Sequence, residues 1–500
     1  MEIDVVDSSP AEVAADVLVF AVPDPVALPP AGEELDRLVA GELRHLIDDG
    51  EVKGRRGKVT FVHTDGRVSA HRIGTAGVGP LEELDADTLR TAAAAAAVRA
   101  GEVGARSVAW VIGDNGLALT PGEQAKAIVD GTALGPYDSG HWKTSNEDSR
   151  PEVERLILCG PGAAGVAEEA RRATVVASWT NRCRDFVNAP PNECTPERLA
   201  EWAEETAGRF ASCTFEALGP DEIRKAGMGA LTAVSQGSNN PPRLITISYE
   251  PPETKTDVVL GLIGKAITFD AGGLSLKPAD RMEEMKSDMG GGAAVLAAAG
   301  AIAELELPIR VLTVVPSCEN MPGGHAYRPG DIITALNGKT IEVTNTDAEG
   351  RLILADALWH ARELGATHMI DLATLTGAMV IAMGDYYAGL FGNDEEWVKT
   401  IRDAAEASGD HAWIWPLHET YRRYIESSFA DMKNSSEYRQ GSPILAARFL
   451  EEFVGEGPWA HLDIAGTAYL ERGRQDYYDC GGATGYGVRL LAELARRMSS

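Results

Sequence analysis

Between residues 244 and 372 the chain returns again and again to short, apolar-rich runs of β type. They are Leu244-Ile-Thr-Ile-Ser-Tyr249, Val258-Val-Leu-Gly-Leu-Ile-Gly264, Ile309-Arg-Val-Leu-Thr-Val-Val315, Thr340-Ile-Glu-Val-Thr344 and His368-Met-Ile-Asp-Leu372. A strand with one wet face alternates apolar and polar residues, whereas a near-continuous run such as Val258–Gly264 has both faces covered. Helix-compatible stretches, Ala293–Glu304 and Leu352–Glu363, separate several of these runs. That order predicts βαβ units and a central mixed, largely parallel sheet clad by helices.

With 500 residues the chain is too long for one ordinary core, since cores stop growing at roughly 250–300 residues. The first third has its own α/β pattern: strands at Asp16–Ala21, Lys58–Val62, Ser107–Ile112 and Arg155–Cys159, and a helix over Thr88–Ala100. Gly160-Pro-Gly-Ala-Ala-Gly165 is a breaker cluster. The expected organisation is an N-terminal α/β domain over 1–165, a linker helix over 166–187 and a larger α/β catalytic domain over 188–500. At the start of that last part Thr195 is placed to cap a helix, with Pro196 in its first turn.

A formal net charge of −29, with no Lys/Arg-dense stripe to offset it, argues against nucleic acid as a partner. There is no apolar run long enough to span a bilayer and no basic-then-apolar start, so a cytoplasmic protein without a membrane partner is expected. The six cysteines show no Cys-x-x-Cys spacing and read as isolated buried thiols. No Gly-x-Ser-x-Gly elbow occurs, and Gly290-Gly-Gly292 lacks the Gly-Lys-Ser/Thr ending of a phosphate-binding loop.

Chemistry-bearing residues concentrate between Lys265 and Arg351. Gly264-Lys-Ala-Ile-Thr-Phe-Asp270-Ala-Gly-Gly-Leu-Ser-Leu-Lys277 follows the most apolar strand, and ligand sites of open α/β sheets form beyond the carboxyl ends of strands. A tight loop with solvated Lys265 and Asp270 explains this stretch equally well. Asp288 precedes Gly290-Gly-Gly292, which leads into a helix expected to start near Ala293, and could be no more than that helix's cap. Asn345-Thr-Asp347-Ala-Glu349-Gly-Arg351-Leu352 follows the run Thr340–Thr344; in an extended segment Asp347, Glu349 and Arg351 would project to one side. Asp270, Asp288, Asp347 and Glu349 thus come from three loops that could share one sheet edge. Crowded together they would raise one another's pKa values unless cations neutralised them. Two divalent cations balance four carboxylates, with Lys277 and Arg351 left to offset further negative charge, which suggests a binuclear hydrolase.

Asn345-Thr-Asp-Ala-Glu-Gly-Arg-Leu352 is identical to the signature octapeptide of the leucyl, or cytosol, aminopeptidases, and the chain resembles that family from about Asn188 onward. Glu319-Asn-Met-Pro322, Tyr327-Arg-Pro-Gly-Asp331, Trp459-Ala-His-Leu-Asp-Ile-Ala-Gly-Thr-Ala468 and Gly482-Ala-Thr-Gly-Tyr-Gly-Val488 carry the likeness further. The resemblance implies one divalent ion, Mn or Zn, on Asp270, Asp347 and Glu349, and a second on Lys265, Asp270, Asp288 and Glu349. It implies that Lys277 polarises the scissile carbonyl, that Arg351 holds a bicarbonate, and that Asp288 helps bind the α-amine of a short peptide. A side-chain pocket would comprise Met285, Thr374, Gly377 and Ala468, and the assembly would be a homohexamer. Ala266 and Ala271 depart from the family's usual small residues beside the ligands. His325, His360, His368 and His461 lie near these motifs and read as structural.

Two other readings share parts of this pattern. A two-metal phosphoesterase has the same charge logic, but Lys265 as a ligand and the octapeptide tell against it. A hexameric scaffold or DNA-binding regulator is opposed by the acidic balance.

Overall fold

The computed structural model describes residues 1–113, 115–145, 153–438 and 440–499. By contact the chain separates into two units, Met1–Asn181 with Arg472–Gly481, and Arg182–Glu471 with Gly482–Ser500.

In the first unit six strands form one sheet: β1 (Glu2–Val6), β2 (Val17–Pro23), β3 (Val59–His63), β4 (Arg72–Gly79), β5 (Ser107–Val111) and β6 (Arg155–Cys159), in the order β1-β6-β5-β2-β4-β3. All neighbours run parallel except the edge pair β3–β4. The two-residue period of β2 explains why both faces are dry. Val17 and Val19 pack with Leu89, Ala93 and Ile128 on one side, while Leu18, Phe20 and Val22 meet Leu35, Val39 and Leu43 on the other. The Ala-rich stretch is the helix Ala86–Glu102, capped by Asp85, whose carboxylate accepts from Thr88 N at 2.7 Å. Small residues let it lie close to the helix Pro121–Leu134, which starts with a Thr120/Glu123 capping box.

The second unit contains β7 (Cys213–Leu218), β8 (Arg243–Tyr249), β9 (Val259–Gly264), β10 (Ala266–Asp270), β11 (Arg310–Asn320), β12 (Ile332–Thr334), β13 (Thr340–Glu342), β14 (His368–Ala373), β15 (Ala388–Gly392), β16 (Ala412–Ile414), β17 (Met432–Lys433) and β18 (Trp459–Asp463). Its nine-stranded sheet runs β16-β15-β18-β14-β9-β11-β8-β7, with β10 extending along β11. The middle four, β18, β14, β9 and β11, are mutually parallel, and antiparallel pairings occur only on the flanks. The architecture is therefore α/β in both units, with a mixed, largely parallel sheet in the larger one. Its central strands are buried along nearly their whole length, as their near-continuous apolar character requires.

Two local expectations change. Thr340–Thr344 is not a central strand: Thr340–Glu342 is β13 in a separate three-stranded sheet with β12 and β17. Its short, half-polar sequence suits that position, with Ile341 buried and Thr340 and Glu342 half-buried. Ala266–Asp270, read as a loop, is the strand β10, paired in parallel with β11 at Ala266–Ser317, Ile267–Cys318 and Asp270–Asn320. Among the cysteines, Cys159, Cys183, Cys194 and Cys318 are buried free thiols, while Cys213 and Cys480 are half-buried.

Candidate active site

Three of the parallel strands end level with one another, β9 at Gly264, β14 at Ala373 and β18 at Asp463, while β11 runs on beside β10 to Asn320. Lys265 links β9 to β10. Its backbone is fixed on both sides, with its N–H donating to Leu372 O at 3.0 Å and its carbonyl accepting from Gly292 N at 2.7 Å. The glycine start of the helix Gly290–Glu304 makes this approach possible, since a Cβ on Gly291 would lie 2.0 Å from Leu372 O. The Ala266 side chain fills space beside the equally bare Gly292, whose added Cβ would meet it at 2.7 Å.

The loop after β10 and the octapeptide loop are stitched together. Thr346 Oγ1 donates to Gly272 O at 2.7 Å and accepts from Ser275 N at 2.7 Å, while Ser275 Oγ accepts from Thr346 N at 3.1 Å. Asn434 clamps the other side, accepting from Thr344 N at 2.8 Å and donating to Asn345 O at 2.7 Å. Asp347 lies in this turn, its N–H bound to Asn345 Oδ1 at 2.9 Å. Glu349 has helical backbone and immediately precedes the helix Gly350–Glu363, which contains Arg351. The three side chains therefore do not alternate along an extended segment; a turn followed by a helix start gathers them. Asp288 caps nothing either, because the following helix has Met289 at its N-cap and no side-chain cap.

These loops bring the carboxylates together. Ligand atoms of Asp270, Asp347 and Glu349 lie within 4.8 Å of one another. Lys277 Nζ reaches Asp270 Oδ2 at 2.8 Å and Asp347 Oδ1 at 2.7 Å. Lys265 Nζ reaches Asp288 Oδ2 at 2.7 Å and Glu349 Oε1 at 2.9 Å, and donates to Thr374 O at 3.0 Å. Thr374 Oγ1 in turn donates to Asp288 Oδ1 at 2.7 Å. Lys265 is only 2% exposed, and Gly350 is what admits it, since a Cβ there would lie 2.6 Å from Lys265 Cε.

Four carboxylates face two ammonium groups, and the imbalance appears in their proton affinities. Burial, then the neighbouring carboxylates, pushes Asp270 up to about 8. Burial, only partly offset by Lys265, raises Asp288 to about 6, and Asp347 is raised mainly by burial. Glu349 is held below its usual range: burial opposes this, but Lys265 and Lys277 prevail. Both lysines are raised, the desolvation that would lower them being outweighed by the surrounding carboxylates. A buried oxygen-rich set with two charges uncompensated fits divalent cations.

A pH dependence follows. Free aspartate titrates near 3.9, so between about 4 and 8 the folded, metal-free protein retains a proton on Asp270 that the unfolded chain has released. Stability contributed there is present at low pH and lost as pH rises. Asp356, raised to about 7 by burial, acts in the same direction. Chelated protein should therefore melt at a lower temperature at pH 8 than at pH 5.5, and added Mn²⁺ should flatten the trend. Identical pH slopes with and without the metal would count against a cation site at Asp270.

Arg351 is buried, and burial lowers it to about 10 despite Glu349 and Asp463. Its Nη1 donates to Asn434 O at 2.7 Å, whereas its buried Nε has no hydrogen-bond partner among the described residues. Of the expected side-chain pocket, Thr374 and Ala468 both flank Gly290, whose added Cβ would lie 3.8 Å and 3.3 Å from them. Gly377 opens the helix Gly377–Met383 with open space around it. Met285 lies in the short turn Met282–Ser287 that leads to Asp288. His461 is fully buried against Asp371, Nδ1 to Oδ1 at 2.6 Å, as a structural histidine would be.

Sequence reasoning missed Asn320 and Asn434. Asn320, at the end of β11, donates through Nδ2 to Asp270 Oδ1 at 2.8 Å and Thr346 O at 3.0 Å, and lies 3.4 Å from Glu349 Oε2. Neutral amides leave no charge pattern, and the only available signal was the position of Asn320 within Glu319-Asn-Met-Pro322.

Comparison with known proteins shows the family. Residues 181–492 match the cytosol aminopeptidase family, catalytic domain, and residues 17–146 match that family's N-terminal domain. A probable cytosol aminopeptidase of Roseiflexus castenholzii is 43% identical over 99% of both chains, and one of Geobacter sulfurreducens is 41% identical over 92% of both. Among solved structures, a tomato leucine aminopeptidase mutant superimposes with a TM-score of 0.88 at 33% identity, over 99% of this chain and 96% of that one. The bottromycin maturation enzyme BotP in complex with Mn gives 0.84 at 36% identity, over 97% and 100%. Two family domains that together cover most of the sequence, relatives aligned along its length and the gathered acidic cluster place the chain in the cytosol aminopeptidase family, as a metallo-aminopeptidase that hydrolyses peptides.

Proposed function

We propose that the protein removes N-terminal residues, leucine-like ones preferred, from short peptides during intracellular peptide turnover, using two divalent cations, Mn or Zn. One would be held by Asp270, Asp347 and Glu349, the other by Lys265, Asp270, Asp288 and Glu349. Bound there, the cations would supply a water activated for attack near neutral pH and Lewis acidity toward the scissile carbonyl.

The chain's own residues do the rest. Lys277 is charged and only partly enclosed, with 22% of its side chain exposed, so it can donate to the carbonyl oxygen as that oxygen gains negative charge. Asp288, oriented by Thr374 Oγ1, receives the peptide's α-amine, which restricts cleavage to the N-terminal bond. Arg351 has a buried donor to spare and suits a small anion such as bicarbonate. Met285, Thr374, Gly377 and Ala468 border the N-terminal side chain. Lys265 must give up a proton to act as a ligand, and a dication beside it provides the necessary depression. A homohexamer in the cytoplasm, without a nucleic-acid partner, completes the reading; no helix among the described residues is long and apolar enough to cross a membrane.

The observation that carries the proposal is the meeting of Asp270, Asp347 and Glu349 beside two buried or half-buried lysines. It is tested by chelating the protein and returning Mn²⁺ or Zn²⁺ in an assay of leucine anilide and its N-acetyl derivative. Metal-restored turnover of the free amine alone is expected. Equal turnover of both substrates would refute the exopeptidase assignment, and no turnover with any divalent metal would refute the cation centre. Light scattering checks the hexamer.

A further inference from the structure

We propose that Asn320 is a positioning residue for the candidate metal centre, holding the carboxylates of Asp270 and Glu349 in register with each other. The inference rests on the two-cation reading above. β10 and β11 pair so that Asp270 lies beside Asn320, which delivers the amide to that carboxylate from the strand's own end. All three neighbours of Nδ2, namely Asp270 Oδ1, Thr346 O and Glu349 Oε2, are acceptors, so the amide nitrogen must face them. The side chain is fully buried and closely confined. A Cβ on Gly273 would lie 2.8 Å from Asn320 Oδ1 and 3.0 Å from Thr346 Oγ1, so the bare glycine loop is what lets the amide stand there.

Its neutrality matters as much as its reach. A third ammonium at this place would neutralise the carboxylates that cations need, whereas an amide fixes their orientation and leaves their charge intact. Through Thr346 O the same amide ties the octapeptide loop to β11, coupling the two loops that carry Asp270, Asp347 and Glu349. Groups of this kind orient ligands without touching the ion, and removing one typically weakens metal binding by about 10–100-fold.

The test is Mn²⁺ titration of the chelated full-length protein, read by the electron paramagnetic resonance signal of free Mn²⁺, for wild type, Asn320→Leu and Asn320→Ala. Leucine keeps the volume and removes the donor; alanine also lacks a donor, is smaller, and carries the same comparison should the leucine variant not fold. We expect both to bind Mn²⁺ about 10–100-fold more weakly, with KM for a leucine anilide at saturating Mn²⁺ near the wild-type value. Variants that bind Mn²⁺ within twofold of wild type, even with a lower Tm, would show a merely structural role and overturn the proposal. Wild type that takes up no Mn²⁺ would overturn the two-cation reading itself, and this inference with it.

Discussion

Lys277→Met is expected to lower kcat about 10²–10³-fold, the loss seen when one preorganised donor to a developing oxyanion is removed, while metal affinity does not fall. The two parts of that expectation have one origin. Lys277 is ion-paired to Asp270 and Asp347, so in the metal-free protein its ammonium competes with any cation for the same oxygens. Methionine has similar reach but no charge, so it removes the competitor together with the donor. Cation affinity should then hold or rise as catalysis collapses. Steady-state kinetics at saturating Mn²⁺, paired with a direct titration of Mn²⁺, separates these quantities. A variant that loses activity only because it no longer binds metal would assign Lys277 to the ligand frame instead of to the reacting carbonyl.

How far such a site can be read from a chain depends on what each residue type leaves behind. β9, β14 and most of β11 were legible because both faces of each are buried and the sequence is mostly apolar. β4 (Arg72–Gly79) went unread because its glycines resemble a turn; Gly77 must be bare, since a Cβ there would lie 2.2 Å from Arg55 O. β10 was hidden by Thr268 and Asp270 at the edge of the site. The four acids and two lysines were visible as charges, but their convergence was not, because it depends on strand order. Asp270 meets Asn320 only because β10 lies along β11, and Lys265 meets Thr374 only because β14 adjoins β9. The charges of the octapeptide were legible but their geometry was not: Asp347, Glu349 and Arg351 were expected along one extended segment, whereas a turn clamped by Asn434 leads into a helix that starts at Gly350.

Glu349→Gln should have the larger consequence, because Glu349 belongs to both proposed cation sites while Lys277 belongs to neither. The substitution preserves shape and removes one charge from a side chain that is 2% exposed. Loss of a group that merely orients a ligand costs about 10–100-fold in metal affinity or activity, so loss of a shared ligand should exceed about 10³-fold in both. Stability provides a readout independent of turnover. A cation present at 100 times its Kd stabilises the folded wild type by about 2.7 kcal/mol. If Kd rises about 1,000-fold, the same concentration contributes only about 0.1 kcal/mol, and the metal-induced rise in Tm disappears. Without metal the variant should not be correspondingly crippled. Lys265 loses one of its carboxylate partners but keeps Asp288, and the repulsion that Glu349 exerts on Asp270 is relieved. Calorimetry of wild type and variant, each chelated and then loaded with Mn²⁺, gives the four values required. A variant whose Tm still rises with Mn²⁺ as the wild type does would mean that Glu349 is not a ligand, and the pair of cation sites built around it would have to be abandoned.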